Sequence, residues 1–229
     1  MKIIKYFFEF ILIITFFSIF KLIGYRNASN LGEKIGKIFG PLFRSSHIIQ
    51  KNFENLNDSY SHNEIKNIIK NMWGNYGRIF AEYMYLKKFR NNVLSSNIEI
   101  NGQKILDEIK SKKEPVIFVS GHFNNFELMA MYLEKSGINL AAIYRPLNNK
   151  FLNPLMEKIR KKYICKNQIK KGIAGTKEIL KYFKEGTSIA LMIDQRVSEG
   201  IRCDFFKKQA LTTTIPAQFV KKFNCKIVP

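Results

Sequence analysis

His122 and Glu127 stand five positions apart in Gly121-His-Phe-Asn-Asn-Phe-Glu127, directly after the apolar run Val116-Ile-Phe-Val-Ser120. The run is continuous, β-branched and aromatic, so Pro115 to Ser120 is expected to be a buried strand. Leu128 to Lys135 is expected to be a helix, with Gly137 as its stop. The imidazole then sits on a strand-to-helix turn and the carboxylate in the first helical turn, within reach of each other. An imidazole held by a carboxylate is a general base, able to take a proton from an alcohol. The same residues also fit a helix cap, with Asn124 as N-cap and Glu127 reaching back to its amide. A glutamate is favoured there by the helix dipole in any case. Taken alone, the pair fits either reading.

Other polar residues close apolar runs in the same way. Ile138 to Tyr144 reads as a strand ending in Arg145-Pro146, and Ser188 to Ile193 as a strand ending in Asp194-Gln195. In open α/β sheets, sites form at the carboxyl ends of the strands. Three apolar strands that each end in such residues point to a site more than to packing.

The elements that must hold these residues alternate. Gln103 to Ser111, Leu152 to Lys162, Lys177 to Lys184 and Ala217 to Phe223 read as helices, with Gly186 closing the third. Ile98 to Gly102 reads as a strand and turn, and Lys226-Ile-Val as the start of a last strand. Alternation of this kind implies an α/β fold with a mostly parallel central sheet flanked by helices. Before it, Leu31 to Phe43, His47 to Asn57 and Glu64 to Phe89 carry helical apolar spacing. Leu31 to Phe43 is basic on its other face and fits either a membrane surface or a core. Trp73, Tyr76, Tyr83 and Tyr85 read as packing.

Ile3 to Tyr25 is the most apolar stretch, with Phe10 to Phe20 free of charge. The uncharged run falls short of the roughly 20 residues of an untilted span, and snorkelling of Lys5 and Lys21 extends it. No small-x-small cleavage site follows, which favours a retained membrane anchor over a cleaved signal. Lys21, Arg26, Lys34 and Lys37 after the segment bias the body towards the cytoplasm. The expected organisation is an anchor at 1–26, a helical region at 27–92 and an α/β core at 93–229.

The chain has 229 residues, enough for one sizeable core, and carries 38 Lys+Arg against 18 Asp+Glu, a net charge of +20. That excess predicts polyanionic partners: nucleic acid, anionic lipid headgroups or an acidic protein. Cys165, Cys203 and Cys225 lack CxxC spacing, so no metal site is expected, the body belongs in a reducing compartment, and each thiol reads as a small core residue.

Gly121-His-Phe-Asn-Asn-Phe-Glu127 resembles the GHFGNWE motif of the bacterial lipid A biosynthesis acyltransferases, the lauroyl and myristoyl transferases. Four further pieces resemble the family in order and spacing. They are Asn75-Tyr-Gly-Arg78-Ile-Phe-Ala-Glu82, Ile143-Tyr-Arg145-Pro-Leu-Asn-Asn149, Lys171-Gly172, and the block Asp194-Gln195…Gly200…Phe205-Phe206…Ala210…Thr212-Thr213. The chain departs from the pattern in Phe126, where the family has Trp, and in Lys207, where a glycine follows the Phe pair. It also stops in a strand at Pro229, where members run on, which implies a fragment or a shortened member.

The resemblance implies transfer of a fatty acyl chain from acyl carrier protein to a hydroxyl of a lipid A precursor, at the bacterial inner membrane with the body on the cytoplasmic side. An acyl thioester is already activated, so no cofactor is expected. His122 is then the base and Glu127 its orienter. Arg145 is expected to bind substrate phosphate or the oxyanion, with a structural salt bridge to Asp194 as the alternative. Lys171 is a second phosphate candidate, and Asp194 and Gln195 shape the site. Phe205 and Phe206 line an acyl pocket or belong to the core. The expected partners are acyl carrier protein, the lipid A precursor and anionic inner-membrane lipids.

A glycerophospholipid acyltransferase is the second reading. It is disfavoured by Gly121, where that family has Asn, and by Glu127, where it has Asp. A membrane-tethered nucleic-acid-binding protein is the third, and no nucleic-acid motif supports it.

Overall fold

A computed structural model describes residues 2–43, 46–53, 60–206 and 208–229. The tail of the second expected helix (54–57) and Lys207 lie outside them. The chain first runs through helices α1 (Lys2–Ile23), α2 (Tyr25–Phe39), α3 (Ser46–Phe53), α4 (His62–Glu82) and α5 (Leu86–Arg90). The long helix expected over Glu64 to Phe89 is interrupted by a 3₁₀ turn at Tyr83–Tyr85. Alternation follows as α6 (Gln103–Lys112), β1 (Ile117–Ser120), α7 (Glu127–Lys135), β2 (Leu140–Tyr144), α8 (Leu152–Tyr163), β3 (Asn167–Lys170), α9 (Ile173–Lys184) and β4 (Ser188–Met192). The chain ends in the hairpin β5 (Ile201–Phe205) and β6 (Lys208–Thr212), then α10 (Ile215–Phe223) and β7 (Ile227–Val228).

The fold is therefore α/β, with five parallel strands in the order β3-β2-β4-β1-β7 and helices around them. One expected strand is absent. Ile98 to Gly102 forms no strand: a 3₁₀ turn at Ser95–Asn97 precedes it and β7 pairs with β1 instead. Strand β3 and the β5–β6 hairpin are regular where none was read.

Contacts divide the chain into two compact units. One comprises Met1–Phe10, Leu86–Ile201 and Leu211–Pro229, the other Ile11–Tyr85 and Arg202–Ala210. In the first, alternate strand residues Ile117, Val119, Ala141, Ile169, Ile189 and Leu191 meet Ile179, Phe183 and Phe219 of α9 and α10 in one core. This burial fixes the register, because a slip by one residue would turn the apolar set outwards. The other phase of β1 and β2, with Phe118, Leu140 and Ala142, is also buried, and α7 packs against β2.

In the second unit, α2 and α4 approach through glycines. A Cβ on Gly77 would lie 2.0 Å from the Gly32 carbonyl oxygen, and one on Gly32 would lie 2.3 Å from that of Gly77. Ser61 caps α4 in a full capping box with Glu64. Arg78 on α4 pairs with Glu33 and donates to Ser29 Oγ at 3.0 Å, and Ser29 donates to the buried Glu82 at 2.8 Å.

Candidate active site

Strand register builds the centre of the site. Strands β1 and β4 run parallel with Ser120 opposite Met192, and the pairing continues one step further, where the Ile193 amide donates to the Ser120 carbonyl at 2.9 Å. Two residues beyond that register, His122 faces Asp194. The His122 amide donates to Asp194 Oδ2 at 2.7 Å, and Nδ1 lies 2.8 Å from Asp194 Oδ1. Phe126 meets the imidazole edge-on, with centroids 4.7 Å apart. Burial pushes the Asp194 carboxyl up, but the His122 amide, imidazole and charge outweigh it and hold the group below the ordinary carboxylate value. An Asp194 carboxylate on Nδ1 favours the tautomer with the proton there, which leaves the Nε2 lone pair for chemistry.

Glu127 was expected to hold this imidazole, and the structure gives it another partner. Its Oε1 accepts Arg160 Nε at 3.0 Å and Nη2 at 2.8 Å, and its carboxylate is buried. The capping alternative is not realised either. Helix α7 starts at Glu127 with Phe126 as a bondless N-cap, while Asn124 adopts the left-handed φ of 42° that an N-cap does not use. Register explains the exchange: Asp194 arrives on an adjacent strand at the imidazole's own level, whereas Glu127 points at α8.

Arg160 was missed as a site residue. Besides Glu127, its guanidinium lies over the Tyr144 ring, 5.7 Å from the centroid. Burial, then the nearby Glu157 carboxylate, pushes the Tyr144 hydroxyl up to about 12. Glu157 acts there at longer range, since Tyr144 Oη makes no hydrogen bond of ordinary geometry among the described residues. The signal in the sequence was an arginine amid the lysines of Leu152 to Lys162, at a spacing that periodicity alone did not single out.

His122, Phe126, Glu127, Tyr144 and Arg160 line one cleft of about 570 Å³ at the carboxyl ends of β1, β2 and β4. Arg145, Lys171 and Gln195, the residues expected to bind substrate or shape the site, line it, and so does Arg196, which was not singled out. Arg145 is exposed and makes no ion pair among the described residues, so the expected alternative of a bridge to Asp194 is absent. Lys171 is anchored by its backbone, whose amide donates to the Tyr144 carbonyl at 2.8 Å. Phe205 and Phe206 are 64% and 56% exposed, outside the core, and meet edge-on. Cys165 is a buried core thiol pushed up to about 12 by burial, while Cys203 and Cys225 are half-buried.

The arrangement can do one thing well. An imidazole, oriented by a carboxylate, faces a cleft that also holds the cations Arg145, Lys171 and Arg196. This suits proton abstraction from a hydroxyl on an anionic substrate.

Residues 1–229 match the family model described as bacterial lipid A biosynthesis acyltransferase. No individual curated protein matches the chain.

Proposed function

We infer the reaction from the premise that the chain belongs to the bacterial lipid A biosynthesis acyltransferases. We propose that it moves a fatty acyl chain from acyl carrier protein to a hydroxyl of a lipid A precursor. The acceptor hydroxyl gives its proton to His122 Nε2 as its oxygen attacks the thioester carbon. Asp194, bonded to Nδ1, stabilises the imidazolium that results. The carbonyl oxygen becomes an oxyanion, for which Arg145 in the cleft is the proposed donor. When the tetrahedral intermediate collapses, the carbon–sulfur bond breaks and the thiolate takes the proton back from the imidazolium. A thioester donor is already activated, so this sequence draws on no metal or nucleotide.

Glu127 and Arg160 form the wall behind the base, and Lys171 and Gln195 are proposed to bind acceptor phosphate and sugar hydroxyls. The protein is proposed to sit at the inner membrane with its body on the cytoplasmic side and α1 as the attachment. Helix α1 is long and apolar enough to cross a membrane by length and composition. Anionic lipids are proposed to meet its basic flanks.

The observation that carries the reading is the imidazole fixed through Nδ1 and its own amide at the strand ends of a cationic cleft. The experiment is transfer of radiolabelled acyl groups from acyl carrier protein to a lipid A precursor. His122→Ala is expected to lower the rate by about 10²–10⁴-fold with circular dichroism unchanged. Full activity in that variant overturns the mechanism.

A further inference from the structure

The two ends of the parallel strands β1 to β4 carry surfaces of different kinds. At the carboxyl ends, each strand hands on to an exposed apolar side chain: Phe123 after β1, Leu147 after β2, Ile173 after β3 and Ile193 after β4. Leu147 lines the cleft, Phe123 and Ile193 adjoin its lining residues His122 and Met192, and Ile173 follows closely on Lys171. Phe123 and Ile173 are 77% and 78% exposed. The Phe123 ring is held outwards against Gly121, where a Cβ would lie 2.6 Å from it. Arg145, Lys150, Lys171 and Arg196 are exposed on the same loops and make no ion pair among the described residues. Of the carboxylates there, Asp194 is engaged by His122, which leaves Glu199.

The turns at the amino ends of the same strands, 113–116, 136–139, 164–166 and 185–187, are built otherwise. Lys113 and Lys166 are balanced there by Glu114 and Glu185, and no large apolar side chain is exposed. Apolar side chains exposed singly are ordinary, whereas a set of them gathered around one cleft marks a contact surface.

We propose that this carboxyl-end rim is a docking surface for anionic phospholipid, separate from helix α1. Its apolar tips enter the upper acyl-chain region and its cations meet the headgroup phosphates. A protein partner would need an apolar hollow opposite each tip. A bilayer interface offers anions and hydrocarbon to any arrangement of side chains, and the net positive charge of the rim complements it. The cleft then opens on the leaflet that holds the acceptor, so a lipid can offer its hydroxyl to His122 while its acyl chains stay in the membrane. This rests on the lipid acceptor proposed above, and its first test is read without turnover.

The full chain is prepared with Cys203→Ser and Cys225→Ser, Cys165 being buried, and with one new cysteine: Phe123→Cys, Ile173→Cys, or Glu185→Cys as the amino-end control. Each carries an environment-sensitive fluorophore and is reconstituted into phosphatidylglycerol–phosphatidylethanolamine vesicles. A fraction of the lipid bears a nitroxide near the headgroup end of its acyl chain. Emission is expected to fall about twofold at both rim positions and to hold at the control. Unquenched rim positions, or equal quenching at the control, overturn the proposal. A rim response that requires added acyl carrier protein, or that follows protein concentration in lipid-free detergent, also overturns it, because the face then belongs to a protein partner or a second copy. Phe123→Ser with Ile173→Ser is expected to raise KM about tenfold for an acceptor presented in vesicles and to leave the kinetics with a detergent-dispersed acceptor in place. Equal effects on both overturn it. A chain whose rim is quenched but which transfers no acyl group would fail the acyl-transfer reading and leave the docking surface standing.

Discussion

The imidazole of His122 has one carboxylate on its Nδ1 and another five residues along the chain, and the two have different work. Asp194→Asn keeps the shape but offers Nδ1 a weaker and differently oriented partner, so kcat is expected to fall about 10²–10⁴-fold with circular dichroism unchanged. Glu127→Gln breaks a buried ion pair instead. It is expected to cost about 3–5 kcal/mol of stability in thermal or urea unfolding, because Arg160 loses its buried counter-charge. If Glu127→Gln matched Asp194→Asn in kcat at unchanged stability, Glu127 would be the orienter after all. Acid unfolding separates them further. The Asp194 carboxyl is held below its ordinary 3.8, so its contribution is complete above that value and is lost as pH falls through the lower folded value. The stability gap between Asp194→Asn and the parent should therefore be flat at neutral pH and close only below about 3.8. The sequence already marked His122, Arg145 and Asp194 as strand-end residues, because apolar runs stop there. It could not tell which acid the imidazole takes, since that depends on the pairing of Ser120 with Met192, a contact between residues far apart in the chain.

Elements were legible where burial is one-sided or complete over several residues. The cores of β1, β2 and β4 and most of α7, α8 and α9 came from apolar period and glycine stops such as Gly137, whose φ is +91°. Strand β3 was not legible because Asn167, Gln168 and Lys170 are polar and only Ile169 is buried at the sheet edge. The β5–β6 hairpin was missed because its exposed faces carry no alternation, with β5 exposed at four of its five residues. The close pairing of α2 and α4 was also hidden, since glycines announce flexibility more readily than contact. Gly77→Ala must push a methyl group into the Gly32 carbonyl, and overpacking of this kind costs about 1–3 kcal/mol. Gly186→Ala is the control: its φ is +80° but its Cβ would meet nothing within 4 Å, so only backbone strain of about 1–2 kcal/mol applies. Urea midpoints are expected to fall in both, and spectroscopic loss of helix before the main transition is expected for Gly77→Ala alone. A Gly77→Ala chain with the parent's midpoint would mean that these helices do not touch at that level.

Across the whole molecule, a charge of +20 outweighs any local pairing, and its direction decides which substrates arrive quickly. Helix α8 links that field to the site. Its Arg160 lines the cleft, while Lys158 and Lys162, one turn apart, are exposed and make no ion pair among the described residues. Glu157 on the same helix is already engaged by Lys161 at 3.0 Å, so it does not cancel them. If the donor is an acyl group on an acidic carrier protein, its approach is steered by this surface and screened by salt with a Debye length of about 8–10 Å. Raising salt from about 0.02 to 0.3 M is then expected to lower kcat/KM for acyl carrier protein about tenfold or more. The same change should barely alter kcat/KM for an uncharged acyl-thioester surrogate, because an uncharged donor is not steered by that field. Lys158→Glu with Lys162→Glu should raise KM for the carrier-bound donor while leaving kcat and the surrogate's kinetics in place. Equal salt sensitivity for both donors would place the effect on the lipid acceptor or on membrane attachment, and would remove an acidic carrier as the partner of this face.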